Sequence, residues 1–262
     1  MTNLAVAARD LRSGIRRTDI WLTLAWFDIK LRYRRTMIGP FWLPLSSVIS
    51  ITLMGMVYAQ LLGMKLQDYF PYLAAGLALW SLIASFANEA PTVFVSSANL
   101  AHQTPLPFSL YVLRRVANAV FQFLHTWVSF WAVALYFGVP LGLSTLQVIP
   151  GILMLAVFGF WLTLAVGSVC LRYRDLGQAM TVVTQLFFFM TPIFYRVESL
   201  GKLQWIAMYN PVYHLVEICR APLLGQPIPW ASWGAACLIN VLGCAVAFAI
   251  FARCRKRLAY WM

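Results

Sequence analysis

The chain has 262 residues, of which 61% are hydrophobic and only 11% are charged, whereas a soluble domain carries about 25% charged residues. So few charges cannot cover the surface of a soluble protein, which indicates a chain embedded in lipid. A net charge of +12 in a soluble protein would suggest nucleic acid. Here the basic residues flank apolar stretches, so we expect them to serve lipid headgroups and membrane orientation, and we expect no nucleic-acid partner.

Residues 1–39 are predicted to form a cytoplasmic segment that ends in an interfacial helix. On a helical wheel of residues 19–35 one face is apolar. Its members are Leu22, Ala25, Trp26, Ile29 and Tyr33. A second, weaker apolar stripe favours a helix that touches both lipid and protein. Gly39 and Pro40 are then expected to break this helix and turn the chain into the first span.

Six later stretches reach the roughly 20 apolar residues that a membrane-spanning helix needs. They cover about 41–62, 69–90, 116–137, 148–170, 176–195 and 230–252. The segment from Arg196 to Pro229 is apolar, aromatic and proline-containing, and we expect short re-entrant helices there. The predicted fold is therefore an all-α integral membrane protein, one domain over residues 1–262, with six transmembrane helices.

The distribution of Lys and Arg predicts the orientation of these spans. Sixteen of the 20 basic residues fall on the side of both termini and four on the other side. Because basic residues are retained in the cytoplasm, both termini are expected to be cytoplasmic. The five cysteines show no C-x-x-C spacing and no partnered histidines, so neither a disulfide framework nor a metal site is expected.

Arg32, Arg34 and Arg35 lie directly before a stretch without charges, residues 36–64. They have two interpretations, which are compatible. They can simply fix topology, or they can bind the phosphate or diphosphate headgroup of a substrate, since guanidinium pairs bidentately with phosphate oxygens.

Three segments carry a family resemblance. They are TLAWFDIKLRYRRTMIGPFWLPLSSV at 23–48, SSANLAHQTPLPFSLYVLRRV at 96–116 and YNPVYHLVEICRAPLLG at 209–225. In order and spacing the chain resembles ABC-2-type permeases that export polysaccharides such as O-antigen, capsule and teichoic acid. His102 and Gln103 stand where family members often have a Lys pair.

The resemblance implies a homodimer in the bacterial inner membrane with two copies of a separate ATPase, which would bind ATP and Mg²⁺. The chain itself has no G-x-x-x-x-G-K-[ST] motif, and we expect no cofactor on it. The expected substrate is a lipid-linked polysaccharide. The expected ATPase-coupling segment is Pro91–His102. Its expected polar contacts are Ser96, Ser97, Asn99 and His102, and its expected apolar contact is Phe94 or Leu100.

Aromatic rings offer a broad, weakly discriminating surface for the C–H faces of sugars. The predicted conduit residues are Tyr58, Phe187, Phe188 and Phe194. Successive helical residues lie about 100° apart, so at most one or two of the consecutive phenylalanines can line one path. On the outer side the predicted gate residues are Tyr195, Trp205, Tyr209 and Tyr213, which an ordinary interfacial aromatic belt would also explain.

The first alternative function is an ABC-2 exporter of a drug or small lipid. The second is a membrane-embedded transferase, which needs paired carboxylates or a His–Asp pair near an interface. The eight acidic residues are scattered along the sequence, which disfavours an enzyme.

Overall fold

The computed structural model describes residues 3–140 and 142–262, and the regular structure among these residues is all helical, with no strand. Leu141, in the connection expected between the third and fourth spans, lies outside the described residues. The helices, numbered in chain order, are α1 Asn3–Arg16, α2 Thr18–Tyr33, α3 Trp42–Leu61, α4 Leu66–Glu89, α5 Ala98–Gln103, α6 Phe108–Tyr136, α7 Val148–Cys170, α8 Leu176–Met190, α9 Gln204–Met208, α10 Pro211–Leu223, α11 Trp230–Cys254 and α12 Leu258–Trp261.

Within the described residues, five helical segments are long and apolar enough to cross a membrane. They are Gly39–Leu61, Leu66–Thr92, Phe108–Tyr136, Leu143–Cys170 and Trp230–Cys254. The chain is thus a multi-pass membrane protein.

The fifth predicted span, 176–195, corresponds to α8, which has only 15 residues. At 1.5 Å per residue α8 is about 22 Å long, shorter than the roughly 30 Å hydrocarbon layer. It ends at Met190 because Thr191 is extended and Pro192 follows. The count of six spans therefore stays a prediction.

The third span starts earlier than the sequence suggested. Helix α6 begins at Phe108, whereas the expected start was Val116, so Arg114 and Arg115 lie inside the helix rather than in a connection. Both guanidinium groups are neutralised there, Arg114 by Asp28 at 2.5 Å and Arg115 by Glu89 at 2.7 Å. Pairing with a carboxylate removes much of the cost of holding such a charge at the end of a span.

Helix α4 lies at the centre of the molecule and packs against α3, α6, α7, α8 and α10. Close approach to α7 depends on Gly159, because a Cβ there would lie 2.6 Å from the ring of Phe86. Phe86 itself is fully buried. The core is therefore built around one helix whose aromatic side chains fill the space left by glycines on its neighbours.

The predicted interfacial helix is present as α2, which packs against α6. Ala25 and Ile29 of the predicted apolar face are buried, whereas Leu22 and Trp26 of the same face are exposed. The helix stops at Tyr33, and the predicted break follows, with Gly39 at φ +59° and a 3₁₀ turn at Gly39–Phe41. A left-handed backbone of this kind suits glycine.

The segment before the last span contains a 3₁₀ turn at Val197–Leu203, then α9 and α10. The side chain of Asn210 caps α10 by accepting a hydrogen bond from the backbone N–H of Val212 at 2.9 Å. Helix α10 packs against α4, α7 and α11. Glu217 and Arg220, spaced i, i+3 on this helix, form an ion pair at 2.5 Å. A re-entrant position in the membrane stays a prediction.

Candidate functional site

A groove of about 590 Å³ runs along α3, α4 and α8. All fifteen lining residues are uncharged, and nine of them carry a hydroxyl or a carboxamide. Between Leu43 and Met54, its first and last lining residues on α3, the helix rises about 16 Å, about half of a bilayer core. The groove is thus long and free of charge, and its polar groups are set in a largely apolar surface.

The polar lining follows from helical spacing. Helix α3 contributes Ser46 and Ser50 one turn apart, and α8 contributes Thr181, Thr184 and Gln185 from one face. Several of these hydroxyls donate to the carbonyl of the preceding turn, for example Ser50 Oγ to Ser46 O at 2.9 Å. Because these hydroxyls already donate their hydrogen within the helix, they can offer a passing polar molecule only an acceptor, which keeps such contacts weak.

An aromatic cluster begins at the groove, where Trp80 and Phe188 line it. The ring centroid of Phe188 is 5.4 Å from that of Trp80 and 5.7 Å from that of Phe194, which lies 5.3 Å from Tyr58. Three of the four predicted conduit residues therefore form one chain of ring contacts, but only Phe188 of them lines the groove, whereas Tyr58 and Phe194 pack against Ala59, Tyr69 and Leu73. The fourth, Phe187, packs against the hydrophobic core instead, about 100° around α8 from Phe188.

Trp80 was missed by the sequence reasoning. The signal that could have found it is its spacing, since Trp80, Ala84 and Asn88 follow each other at intervals of four on α4 and all three line the groove.

The three predicted headgroup arginines separate in the structure. Arg32 is exposed, but its guanidinium donates to Gln122 Oε1 at 2.6 Å and lies 4.0 Å from Glu89. Arg34 and Arg35 are exposed and make no side-chain hydrogen bond to any described residue. They are therefore free to meet lipid or substrate, while Arg32 is part of the protein's own polar network.

A mostly apolar cavity of about 400 Å³ lies beside this stretch, with Arg32, Tyr33, Met37 and Trp42 among its lining residues. Burial raises the pKa of the Tyr33 phenol, and the neighbouring Arg32 partly opposes that rise. The phenol therefore stays protonated at physiological pH and keeps its capacity to donate a hydrogen bond.

The predicted coupling segment contains two 3₁₀ turns, Ala90–Thr92 and Val95–Ser97, followed by α5. Ser96, Asn99 and His102 are exposed and Leu100 is half-buried, so these four can meet a partner.

Two residues of that segment do not fit the predicted role. Phe94 is fully buried, and Ser97 is 6% exposed, with its hydroxyl donating to Val93 O at 2.8 Å. The proposed contact role of Phe94 is corrected accordingly. Its ring packs edge-to-face on Phe108 and fixes the segment to the start of α6.

The four predicted gate residues do not form one cluster. Tyr195 donates its hydroxyl to Phe189 O at 3.0 Å, Trp205 and Tyr209 are exposed, and Tyr213 contacts His214. Within the described residues, no group of three or more His, Cys, Asp or Glu side chains could hold a metal ion.

Comparison with known proteins gives the family. A family model described as "ABC-2 type transporter" matches residues 20–224. Two curated relatives from Klebsiella pneumoniae, each called "O-antigen export system permease protein RfbA", are 23% and 24% identical to the chain over 243 residues, which is 92% of this chain and 94% of each relative. The matched region includes the basic stretch, the groove and the coupling segment, and the chain therefore belongs to the ABC-2 type transporter family.

Proposed function

We propose that this chain is the transmembrane subunit of an ATP-driven exporter that moves a lipid-linked polysaccharide across the bacterial inner membrane. The observation that carries the proposal is the groove between α3, α4 and α8. Its uncharged lining of hydroxyls, carboxamides and aromatic rings suits a polymer that is polar at its hydroxyl groups and apolar at its C–H faces. The similarity to O-antigen export permeases supports the same choice.

In this proposal two copies of the chain work with two copies of a separate ATPase, which binds ATP and Mg²⁺, and both termini lie in the cytoplasm. Support for the second copy comes from the exposure of α3 and α8. Only Thr184 is buried among the residues of α8, so the open side of the groove has to be closed by lipid or by protein. The exposed side chains of Asn99 and His102 are the expected contacts of the ATPase, and Arg34 and Arg35 are the expected contacts of the lipid headgroup.

Inverted membrane vesicles that contain the chain and its co-expressed ATPase test the proposal. A lipid-linked polysaccharide added outside should become protected from a glycosidase when ATP is present. A hydrolysis-deficient ATPase is the control and should give no protection. Protection of lipids with short glycans alone would favour the small-lipid alternative, and a complete lack of ATP-dependent protection would contradict export of either kind.

A further inference from the structure

A second cavity, of about 240 Å³, lies between α2, the coupling segment and α6. All eight of its lining residues carry polar side chains: Asp28, Arg32, Ser96, Ser97, Tyr111, Arg114, Arg115 and Asn118. At roughly 30 Å³ per water molecule its volume corresponds to about eight waters, and it is smaller than the roughly 300 Å³ at which drug-sized pockets begin. A compact polar group is therefore the kind of occupant that fits.

The charges around the cavity do not balance. Arg114 holds Asp28 through two hydrogen bonds, at 2.7 and 2.5 Å, and Arg115 donates to Glu89 at 2.7 Å. Arg32 is left with neutral Gln122 as its close partner and with Glu89 only at 4.0 Å. Three guanidinium groups thus meet two carboxylates, and the surplus positive charge belongs to Arg32.

Tyr111 supplies an independent observation. The residue is 1% exposed, lines the cavity, and its hydroxyl has no hydrogen-bond partner among the described residues. A buried hydroxyl without a partner costs about 1–3 kcal/mol, so such groups usually have a role. Here the role that fits is donation to an acceptor inside the cavity.

We propose that this cavity is an oxyanion site that binds a phosphate or diphosphate group between Arg32 and the Tyr111 hydroxyl. The inference rests on the proposed function, because it supplies a phosphate-bearing substrate with a second contact besides the exposed Arg34 and Arg35. Ser96 and Ser97 belong to the predicted coupling segment. An anion in this cavity would therefore lie next to both Arg32 of α2 and the segment expected to contact the ATPase. Phosphate occupancy would then be sensed where ATP hydrolysis is coupled.

The first experiment measures thermal unfolding of the full-length chain in nanodiscs while inorganic diphosphate is titrated against chloride at constant ionic strength. Ligand that binds only the folded protein raises its melting temperature in a saturable way. For wild type we expect such a rise. Arg32→Gln and the nearly isosteric Tyr111→Phe should each weaken the apparent affinity about tenfold, the effect of one lost charge-assisted hydrogen bond.

Matched controls separate the cavity from general surface charge. Lys30→Gln removes an exposed positive charge from the same helix, and Tyr260→Phe removes the hydroxyl of an exposed tyrosine; neither residue lines the cavity. Both should respond to diphosphate as wild type does. The site is rejected if wild type shows no saturable shift or if all five proteins respond alike.

The source of the anion is resolved with nanodiscs that contain a polyprenyl diphosphate or the corresponding polyprenyl alcohol. A further shift with the diphosphate lipid but not with the alcohol, lost in Arg32→Gln, identifies a lipid headgroup, and a response to soluble diphosphate but to neither lipid identifies a free anion. These measurements need neither ATPase nor polymer. A chain that binds the anion but fails the vesicle assay would keep the site and lose the export function.

Discussion

Asp10 in α1 accepts a hydrogen bond from Arg255, just past the end of α11, with 2.6 Å between its Oδ2 and the arginine Nε. The same carboxylate accepts from the backbone N–H groups of Phe108 and Ser109, at 3.1 and 2.9 Å. One side chain therefore fastens the first helix, the start of α6 and the C-terminal segment, which places both ends of the chain on the same face of the protein.

Replacement of Asp10 by alanine should lower the free energy of unfolding by about 2 to 4 kcal/mol. The change leaves the Arg255 charge and two N–H groups at the start of α6 without their acceptor. Equilibrium unfolding in mixed micelles measures the loss. As the control, Asp19→Ala removes an exposed carboxylate of α2 and should cost less than about 1 kcal/mol. Equal losses of stability in the two variants would contradict the view that Asp10 holds the three segments together.

Two glycine-to-alanine changes should have opposite consequences. At Gly159 the new methyl group would lie 2.6 Å from the buried Phe86 ring, and we expect a loss of about 1–3 kcal/mol through overpacking. At Gly234, in α11, nothing lies within 4 Å of the added Cβ, and alanine should be neutral or stabilising because it favours helix. Unfolding midpoints of both variants check this. A destabilised Gly234→Ala would show that the clash of an added Cβ with its neighbours does not determine the stability change.

For the Glu217–Arg220 pair, removal of one partner should destabilise the protein more than removal of both. Arg220 is 2% exposed and also contacts Pro192 O and the Tyr72 ring. Arg220→Met should cost about 3–5 kcal/mol because the Glu217 carboxylate loses its partner in a poorly solvated place. The double variant Glu217→Met/Arg220→Met should be less destabilised than Arg220→Met alone. A double variant that unfolds more readily than the single one would disprove this interpretation.

Truncation of a groove aromatic should slow transport without unfolding the protein. Phe188→Ala removes a ring that contacts Trp80 and Phe194, and stacking of this kind contributes about 0.5–1.5 kcal/mol per pair. We expect ATP-dependent polymer protection in vesicles to fall about two- to tenfold, taking one ring–sugar contact to be worth as much as one such aromatic pair. Leu186→Ala, an exposed position on the same helix outside the groove, is the control and should transport normally.

Two variants in the coupling segment should differ in effect, one impairing ATPase binding and the other impairing folding. Asn99→Trp adds bulk at an exposed position and should reduce co-purification of the ATPase at unchanged melting temperature. Phe94→Ala empties a fully buried site and should cost about 3–5 kcal/mol of stability. Lys202→Trp, exposed in the segment before α9, is the control for added bulk. Normal ATPase recovery with Asn99→Trp would move the docking surface elsewhere.

Local sequence patterns were sufficient where the signal itself is local. The fourth span was expected at 148–170 and the structure has Val148–Cys170, because its ends are marked by glycine and proline on one side and arginine on the other. Glu217 and Arg220 are three residues apart on one helix, a local spacing that favours the ion pair seen in the structure. The rule of 100° per residue limited the consecutive phenylalanines to one or two on any path, and Phe188 alone of the first two lines the groove.

Features that depend on residues far apart in the chain could not be predicted from local sequence patterns. Arg114 was assigned to a connection because its neutralising partner, Asp28, lies 86 residues earlier in the chain. Tyr111 looked like an ordinary helical tyrosine, since only the assembled fold shows that it lines the polar cavity beside Arg32 and that its hydroxyl is buried without a partner among the described residues. Similarly, nothing in the local sequence of Phe94 distinguishes a docking contact from a core residue; the packing of Phe108 against it does.

The walls of the groove differ greatly in how firmly they are held. In the most apolar 18-residue stretch of Leu66–Thr92, 72% is buried inside the protein, whereas in the corresponding stretch of Gly39–Leu61 only 11% is buried. Displacing α4 would open the core that Phe86 and Gly159 close, whereas moving α3 or α8 sacrifices little buried apolar area. The groove therefore has one stiff side and two compliant ones, so its bore can change while the protein's interior stays packed.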